Sequence, residues 1–120
     1  MVGIDIIEVV RVDQSQDFVQ RIASESEIEY INKSKSQKLR HQRIAALFCV
    51  KEAVMKALDM GAGSGVVFKD IILSHTDTGK PIIALQGKAL EKYNEYFKEK
   101  TIEVSISHTE NYATAIALIT

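Results

Sequence analysis

Glu52 lies between Lys51 and Lys56 in the run Phe48-Cys49-Val50-Lys51-Glu52-Ala53-Val54-Met55-Lys56-Ala57-Leu58, a segment whose spacing is helical and whose composition is otherwise apolar. On a helical wheel at about 100° per residue, Ala45, Phe48, Lys56 and Asp59 fall within roughly 40° of Glu52. Leu47, Val50, Val54, Ala57 and Leu58 gather on the opposite side as the expected core face. An acid on such a helix needs a cationic partner. Lys56, one turn on, supplies one in the favourable acid-first order, and read alone that makes an ordinary surface ion pair. A metal ion is the other candidate.

Asp5 is a second acid in an unusual place, inside the apolar run Val2-Gly3-Ile4-Asp5-Ile6-Ile7. Strand alternation puts Gly3, Asp5 and Ile7 on one face, with Gly3 leaving open space beside the carboxylate. The ordinary reading is an edge or strand-end position facing water. Two carboxylates from separate elements, completed by phosphate oxygens and waters, also make a typical Mg²⁺ site. Glu8 is either an outer partner to that pair or the polar start of the next segment. No His/Cys cluster with zinc spacing occurs. His108 closes an alternating run, so it either satisfies a turn or reaches into a cleft to meet phosphate or move a proton. His41 and His75 read as surface or turn residues, Cys49 as packing. Ser105 and Ser107 lack the glycine context of a nucleophile elbow.

The elements that must position these groups follow from local pattern. Val2 to Ile7 is a strand and Arg11 to about Ala23 a helix. Ser24 with Glu27 forms a capping box for a short helix through Ile31. A long helix runs from about Gln37 to Asp59 and ends at Gly61, before a loop carrying Gly63 and Gly65. That loop fails as a dinucleotide fingerprint, because its glycine spacing is wrong and a helix precedes it. Phe68 to Ser74 and Ile82 to Leu85 make a hairpin around Asp77-Thr78-Gly79-Lys80-Pro81. Gly87 to about Lys98 is an amphipathic helix, and Glu103 to His108 and Tyr112 to Ile119 are strands. The whole is expected to be one domain, residues 1–120, of the α+β class, with helices on one face of a largely antiparallel sheet.

With 120 residues, 46% of them hydrophobic, the chain has material for a modest core, and oligomerisation would add to its stability. The net charge of -1 argues against generic nucleic-acid binding. The charge is nevertheless uneven: seven basic residues and one acid lie between Lys33 and Lys56, against five acids and one arginine between Asp13 and Glu29. A basic block suits a phosphate-rich ligand or an acidic protein, or is simply a solvated helix flank. One cysteine permits no intrachain disulfide. With no leader pattern and no apolar run of membrane-spanning length, the expected setting is cytoplasmic, without membrane insertion.

Taken together, these segments resemble the holo-acyl-carrier-protein synthases, the small single-domain group of the 4′-phosphopantetheinyl transferases. The resemblance rests on Gly3 through Val12, on Phe48 through Leu58 as an aromatic-x-x-Lys-Glu-Ala-x-x-Lys-Ala helix, on Phe68-x-Asp70-Ile71, on Gly79-Lys80-Pro81, and on Val104 through Glu110 with Tyr112 and Ala113. It spans nearly the whole chain, with five landmarks in order. It implies the 4′-phosphopantetheinyl transferase fold and transfer of phosphopantetheine from coenzyme A to a serine of apo-acyl carrier protein, releasing adenosine 3′,5′-bisphosphate with Mg²⁺, in fatty acid biosynthesis.

The resemblance also implies roles. Asp5 and Glu52 match the metal ligands; with Lys56 and His108 they form the catalytic set. Lys56 and His108 also face the coenzyme, joined by Lys51, Arg43 and Gly63, and by Pro81 and Thr109. Arg11 matches a basic residue that meets the carrier protein. A homotrimer is implied, in which His108 comes from the neighbour of the chain that supplies Asp5 and Glu52. Two departures stand out. Cys49-Val50 replaces the usual Ala-Ala, and Leu47 stands where an arginine is common, which removes one phosphate contact and opens the roles of Arg40 and Arg43. The rival readings are a metal-dependent phosphohydrolase of a small nucleotide, and a non-enzymatic module docking an acidic protein.

Overall fold

A computed structural model describes residues 1–61 and 63–120; Ala62, in the expected glycine loop, lies outside them. The strands are β1 (Val2–Glu8), β2 (Ile71–His75), β3 (Pro81–Leu85), β4 (Ile102–His108) and β5 (Tyr112–Ile119). The helices are α1 (Gln16–Ile22), α2 (Glu25–Asn32), α3 (Gln37–Ala57) and α4 (Gly87–Tyr96). The strands form two antiparallel sheets, one ordered β1-β5-β4 and one made of β2 and β3.

The α+β reading holds, divided over two sheets. Helix α3 lies across the inner face of the three-stranded sheet, where β5 presents buried Ala113, Ala115 and Ala117. Gly3 is the closest point of approach. A Cβ there would stand 2.6 Å from Ala57 N and closer still to the Ala53 carbonyl oxygen. The space beside Asp5 that Gly3 was expected to leave open is therefore occupied by the α3 backbone, because only a residue without a side chain lets strand and helix touch.

The face reading of α3 also needs correction. Ala45, expected beside Glu52, is as buried as the core face, together with Cys49 and Lys51. The helix is enclosed from both sides, by β1 and β5 on one and by α2 and β2 on the other. It ends at Ala57 rather than near Asp59. Asp59 N donates to Lys56 O at 3.1 Å and Met60 N to Met55 O at 2.9 Å, a Schellman closure with Asp59 at φ 57. Asp tolerates that conformation better than most residues.

Two boundaries differ from the expectation for the same reason: short polar side chains capture backbone donors and halt a regular element. The helix expected from Arg11 starts at Gln16 instead. Val9–Arg11 form a 3₁₀ turn, Asp13 Oδ1 accepts from Ser15 N at 2.8 Å, and Ser15 Oγ caps α1 by accepting from Phe18 N at 3.2 Å. Likewise Phe68–Asp70 form a 3₁₀ turn in which Asp70 Oδ2 accepts from Val67 N, so β2 starts at Ile71. The Ser24–Glu27 capping box of α2 is present as expected.

Candidate active site

Three charged groups converge where β1 crosses α3. Strand alternation turns Asp5 towards the helix, and its side chain keeps 18% of its exposure. Lys56 Nζ, on the last turn of α3, donates to Asp5 Oδ1 at 3.2 Å and to Ile4 O at 2.9 Å. Glu52, one turn earlier and half-buried, completes the group. Burial raises its carboxyl pKa, the Asp5 charge raises it further, and Lys56 opposes both. Two carboxylates are thus close enough to repel, with one ammonium offsetting part of that repulsion. The lysine pairs with Asp5 across the fold as well as standing one turn from Glu52.

Cys49 lies beneath this group. Its Sγ donates to Ala113 O at 3.6 Å, and burial together with the Asp5 charge pushes the thiol up to about 12. It is a protonated packing residue at neutral pH.

On the other flank of α3 is a cavity of about 530 Å³ walled by α2, α3, β2, β3 and β4. Arg43, Pro81 and His108 line it, three of the expected coenzyme-contacting residues. Tyr30 and His75 line it too, their rings 5.0 Å apart. The Arg43 guanidinium sits 4.3 Å from the Tyr30 ring centroid and donates to Tyr30 O and Ser34 Oγ. Leu47 contributes an apolar patch where an arginine was noted as common.

Not every expected residue reaches either flank. Lys51 is withdrawn from the coenzyme-binding set. Its side chain has 0% exposure, and its ammonium donates to Ile22 O at 2.6 Å, Glu27 Oε1 at 2.8 Å and Phe68 O at 3.0 Å. All three of its donors are used inside the protein, so none is left for a phosphate. Thr109 is exposed at the β4–β5 turn, where Oγ1 accepts from Asn111 N and Tyr112 N. Gly63 adopts φ 87 in an open stretch after α3. Arg11 is exposed at the end of the first 3₁₀ turn.

His108 is not brought to Asp5 within one chain. Asp5 pairs with Ala115 and His108 with Ala113, so β5 separates the two strands, a lateral gap of about 10 Å at ordinary strand spacing. Helix α3 lies over that same face.

Three residues do more than their local pattern indicates. Glu27 was assigned only a capping role, yet its carboxylate is buried against Lys51. His75 was read as a turn residue, yet it lines the cavity, and burial and Arg43 hold its pKa below the ordinary value. His41, also read as superficial, bonds Val12 O through Nε2 at 2.8 Å and ties α3 to the segment before α1. Glu27 stands in the first turn of α2, His41 near the start of α3 and His75 at the end of β2, and nothing in those local positions signals a long-range partner.

The donor set at β1–α3 fits a divalent cation that prefers oxygen. Among the described residues no group of three or more His, Cys, Asp or Glu side chains assembles, so zinc-type chelation is unsupported there. Two repelling carboxylates beside open solvent match the pattern of Mg²⁺, which keeps several waters and takes its remaining ligands from substrate phosphates.

Comparison with known proteins shows the family of the chain. A family model described as the 4′-phosphopantetheinyl transferase superfamily matches residues 1–117. The holo-[acyl-carrier-protein] synthase of Clostridium tetani is 38% identical, the match covering 98% of this chain and 93% of that protein. The Clostridium kluyveri synthase is 40% identical over 98% of this chain and 87% of its own. Among solved structures, the Helicobacter pylori holo-[acyl-carrier-protein] synthase in complex with coenzyme A superposes with a TM-score of 0.81 at 29% identity, covering 100% of both chains. The Bacillus anthracis synthase, in complex with CoA (3′,5′-ADP), gives a TM-score of 0.80 at 33% identity over 98% of this chain and 93% of that one. With its sequence landmarks, its fold and these relatives in agreement, the chain belongs to the 4′-phosphopantetheinyl transferase superfamily, within the group of the holo-[acyl-carrier-protein] synthases.

Proposed function

We propose that this protein transfers 4′-phosphopantetheine from coenzyme A to a serine of apo-acyl carrier protein, releasing adenosine 3′,5′-bisphosphate, as a step of fatty acid biosynthesis. The observation that carries the proposal is the convergence of Asp5, Glu52 and Lys56 at the β1–α3 crossing. In the reaction the serine oxygen bonds to the phosphorus bearing pantetheine. The bond from that phosphorus to the bridging oxygen of the adenosine bisphosphate breaks, and the serine proton is released.

Such a transfer needs alignment and charge neutralisation more than covalent participation by the protein. Asp5 and Glu52 would hold Mg²⁺, which when bound supplies Lewis-acid stabilisation of the pyrophosphate oxygens. Lys56 adds a cation at the same place, and its bond to Ile4 O fixes where that charge points. The cavity lined by Arg43, Pro81 and His108 takes the nucleotide end of coenzyme A, while Gly63 and Thr109, which do not line it, keep their coenzyme-contacting role only from the family resemblance. Arg11 meets the acidic carrier protein.

We further propose a homotrimer with its sites between subunits, so that His108 works with the Asp5 and Glu52 of a neighbour. Two features support this. The first is the separation of His108 from Asp5 across β5. The second is the outer face of the β1-β5-β4 sheet, where Val2, Ile4 and Ile6 are 59%, 62% and 66% exposed and Ile116 and Leu118 lie beside them, also exposed. A contiguous apolar face of this kind marks an association surface. The cytoplasmic setting is supported by the single unpaired, buried cysteine. Among the described residues no helix is long and apolar enough to cross a membrane.

The deciding experiment incubates the protein with apo-acyl carrier protein, coenzyme A and Mg²⁺ and weighs the carrier by mass spectrometry. One phosphopantetheine added per carrier, with adenosine 3′,5′-bisphosphate in the supernatant, is expected. An unchanged carrier mass refutes the proposal.

A further inference from the structure

The Glu27–Lys51 pair is more deeply buried than any other ion pair among the described residues, with side chains 2% and 0% exposed. Glu27 Oε1 accepts from Ser24 N and Lys51 Nζ, both at 2.8 Å, and Oε2 accepts from Leu73 N at 2.7 Å. Lys51 holds Ile22 O and Phe68 O besides. One pair of side chains thus links the end of α1, the start of α2, the middle of α3, the turn before β2, and β2 itself. Burial pulls the Lys51 pKa down while Glu27 holds it up. A buried pair of this kind is poor evidence for stability, since apolar residues of similar volume often serve as well. Its value therefore lies in what it positions.

What it positions is one side of the cavity. Glu27 and Leu73 both line that space, as do Tyr30, one turn after Glu27, and His75, two residues after Leu73. Among the described residues, strand β2 has a strand neighbour on one edge alone, β3. On the edge facing α2, the Leu73 N–H is held by the Glu27 carboxylate instead. The placement of Tyr30 beside His75 on that side of the cavity is thereby set by a carboxylate that Lys51 pairs with.

We infer that Glu27 and Lys51 are positioning residues for coenzyme A, acting through the α2–β2 wall and touching neither substrate nor metal. This rests on the reading of the cavity as the coenzyme site. Glu27→Gln tests it, because an amide has one acceptor oxygen where the carboxylate has two, so either Leu73 N–H or Ser24 N–H loses its partner. The KM for coenzyme A should rise about tenfold, the equivalent of one buried hydrogen bond, with kcat at saturation within about twofold of wild type. Amide exchange at Leu73 should accelerate in the same variant. Glu27→Gln/Lys51→Met, which strands no charge, should behave alike and serves if the single variant does not fold.

A structural role alone would lower the melting temperature and leave both constants of the folded protein unchanged, and that result overturns the inference. So does a fall in kcat at constant KM. Calorimetric titration of wild type with coenzyme A tests the cavity reading separately. Absence of binding there defeats that reading, and Leu73 exchange still decides whether the carboxylate holds the wall.

Discussion

Gly3→Ala is the most informative single perturbation, because it acts on the contact that brings the acids together. The new methyl would stand 2.6 Å from Ala57 N and nearer to Ala53 O, whereas such atoms pack at about 3.5 Å. The obstruction is α3 backbone at both contacts, so the helix must recede by roughly 1 to 1.5 Å, and rotamer changes cannot absorb it. Overpacking of this kind costs about 3 kcal/mol, which for a domain of this size lowers the melting temperature by roughly 12 °C. The effect on chemistry is separate and of similar size in free energy. Ala53 follows Glu52 directly, and Gly3 precedes Asp5 by two residues, so the displacement opens the gap between the two carboxylates. A misplacement of about 1 Å at reacting groups costs on the order of 100-fold in rate. Thermal melting followed by circular dichroism, and carrier modification at saturating coenzyme A and Mg²⁺, measure the two effects. Gly61→Ala is the control, since a methyl there meets nothing within 4 Å. A melting temperature within about 2 °C of wild type and turnover within twofold would refute the close-approach reasoning.

Three further outcomes follow from the site. Glu52→Gln should fold as well as wild type or better, because burial and Asp5 make the Glu52 charge costly, yet lose at least about 100-fold in transfer at saturating Mg²⁺; near-normal turnover would remove Glu52 from the metal site. Ile116→Lys places a charge on the exposed apolar sheet face and should dissociate the proposed trimer and abolish turnover together. Sedimentation analysis showing an intact, active trimer would count against that face. His75 is held below its ordinary 6.5 by burial first and Arg43 second, so the unfolded chain takes up that proton before the folded one does. Its contribution to stability is present above about pH 6.5 and is lost as pH falls towards the folded value. Melting curves recorded on both sides of that window should show a smaller drop for His75→Gln, and an unchanged drop would exclude this linkage.

The elements most legible in the sequence were those governed by neighbours along the chain. The Ser24–Glu27 box needs only residues three apart, and the alternation from Glu103 to His108 needs only period two. Asp5 and Glu52 were conspicuous because each interrupts an apolar run, where an acid demands a partner. The start of α1 was misread because Asp13 and Ser15 can either join a helix or capture the donors that would begin it, and local composition permits both.

Lys51 shows where such reading ends. In the chain it is one of several lysines in a basic block, adjacent to the acid that matters, and its charge invites a phosphate. Its partner Glu27 lies 24 residues earlier, already engaged in a capping box. The amino-acid order alone determined that two acids and a lysine would have to be accounted for near one strand and one helix. Only the packed structure decided that Lys56 serves Asp5 while Lys51 is consumed in the interior. Helix rotation sets which of two neighbouring lysines faces solvent, and that rotation follows from everything packed around α3, not from the helix itself.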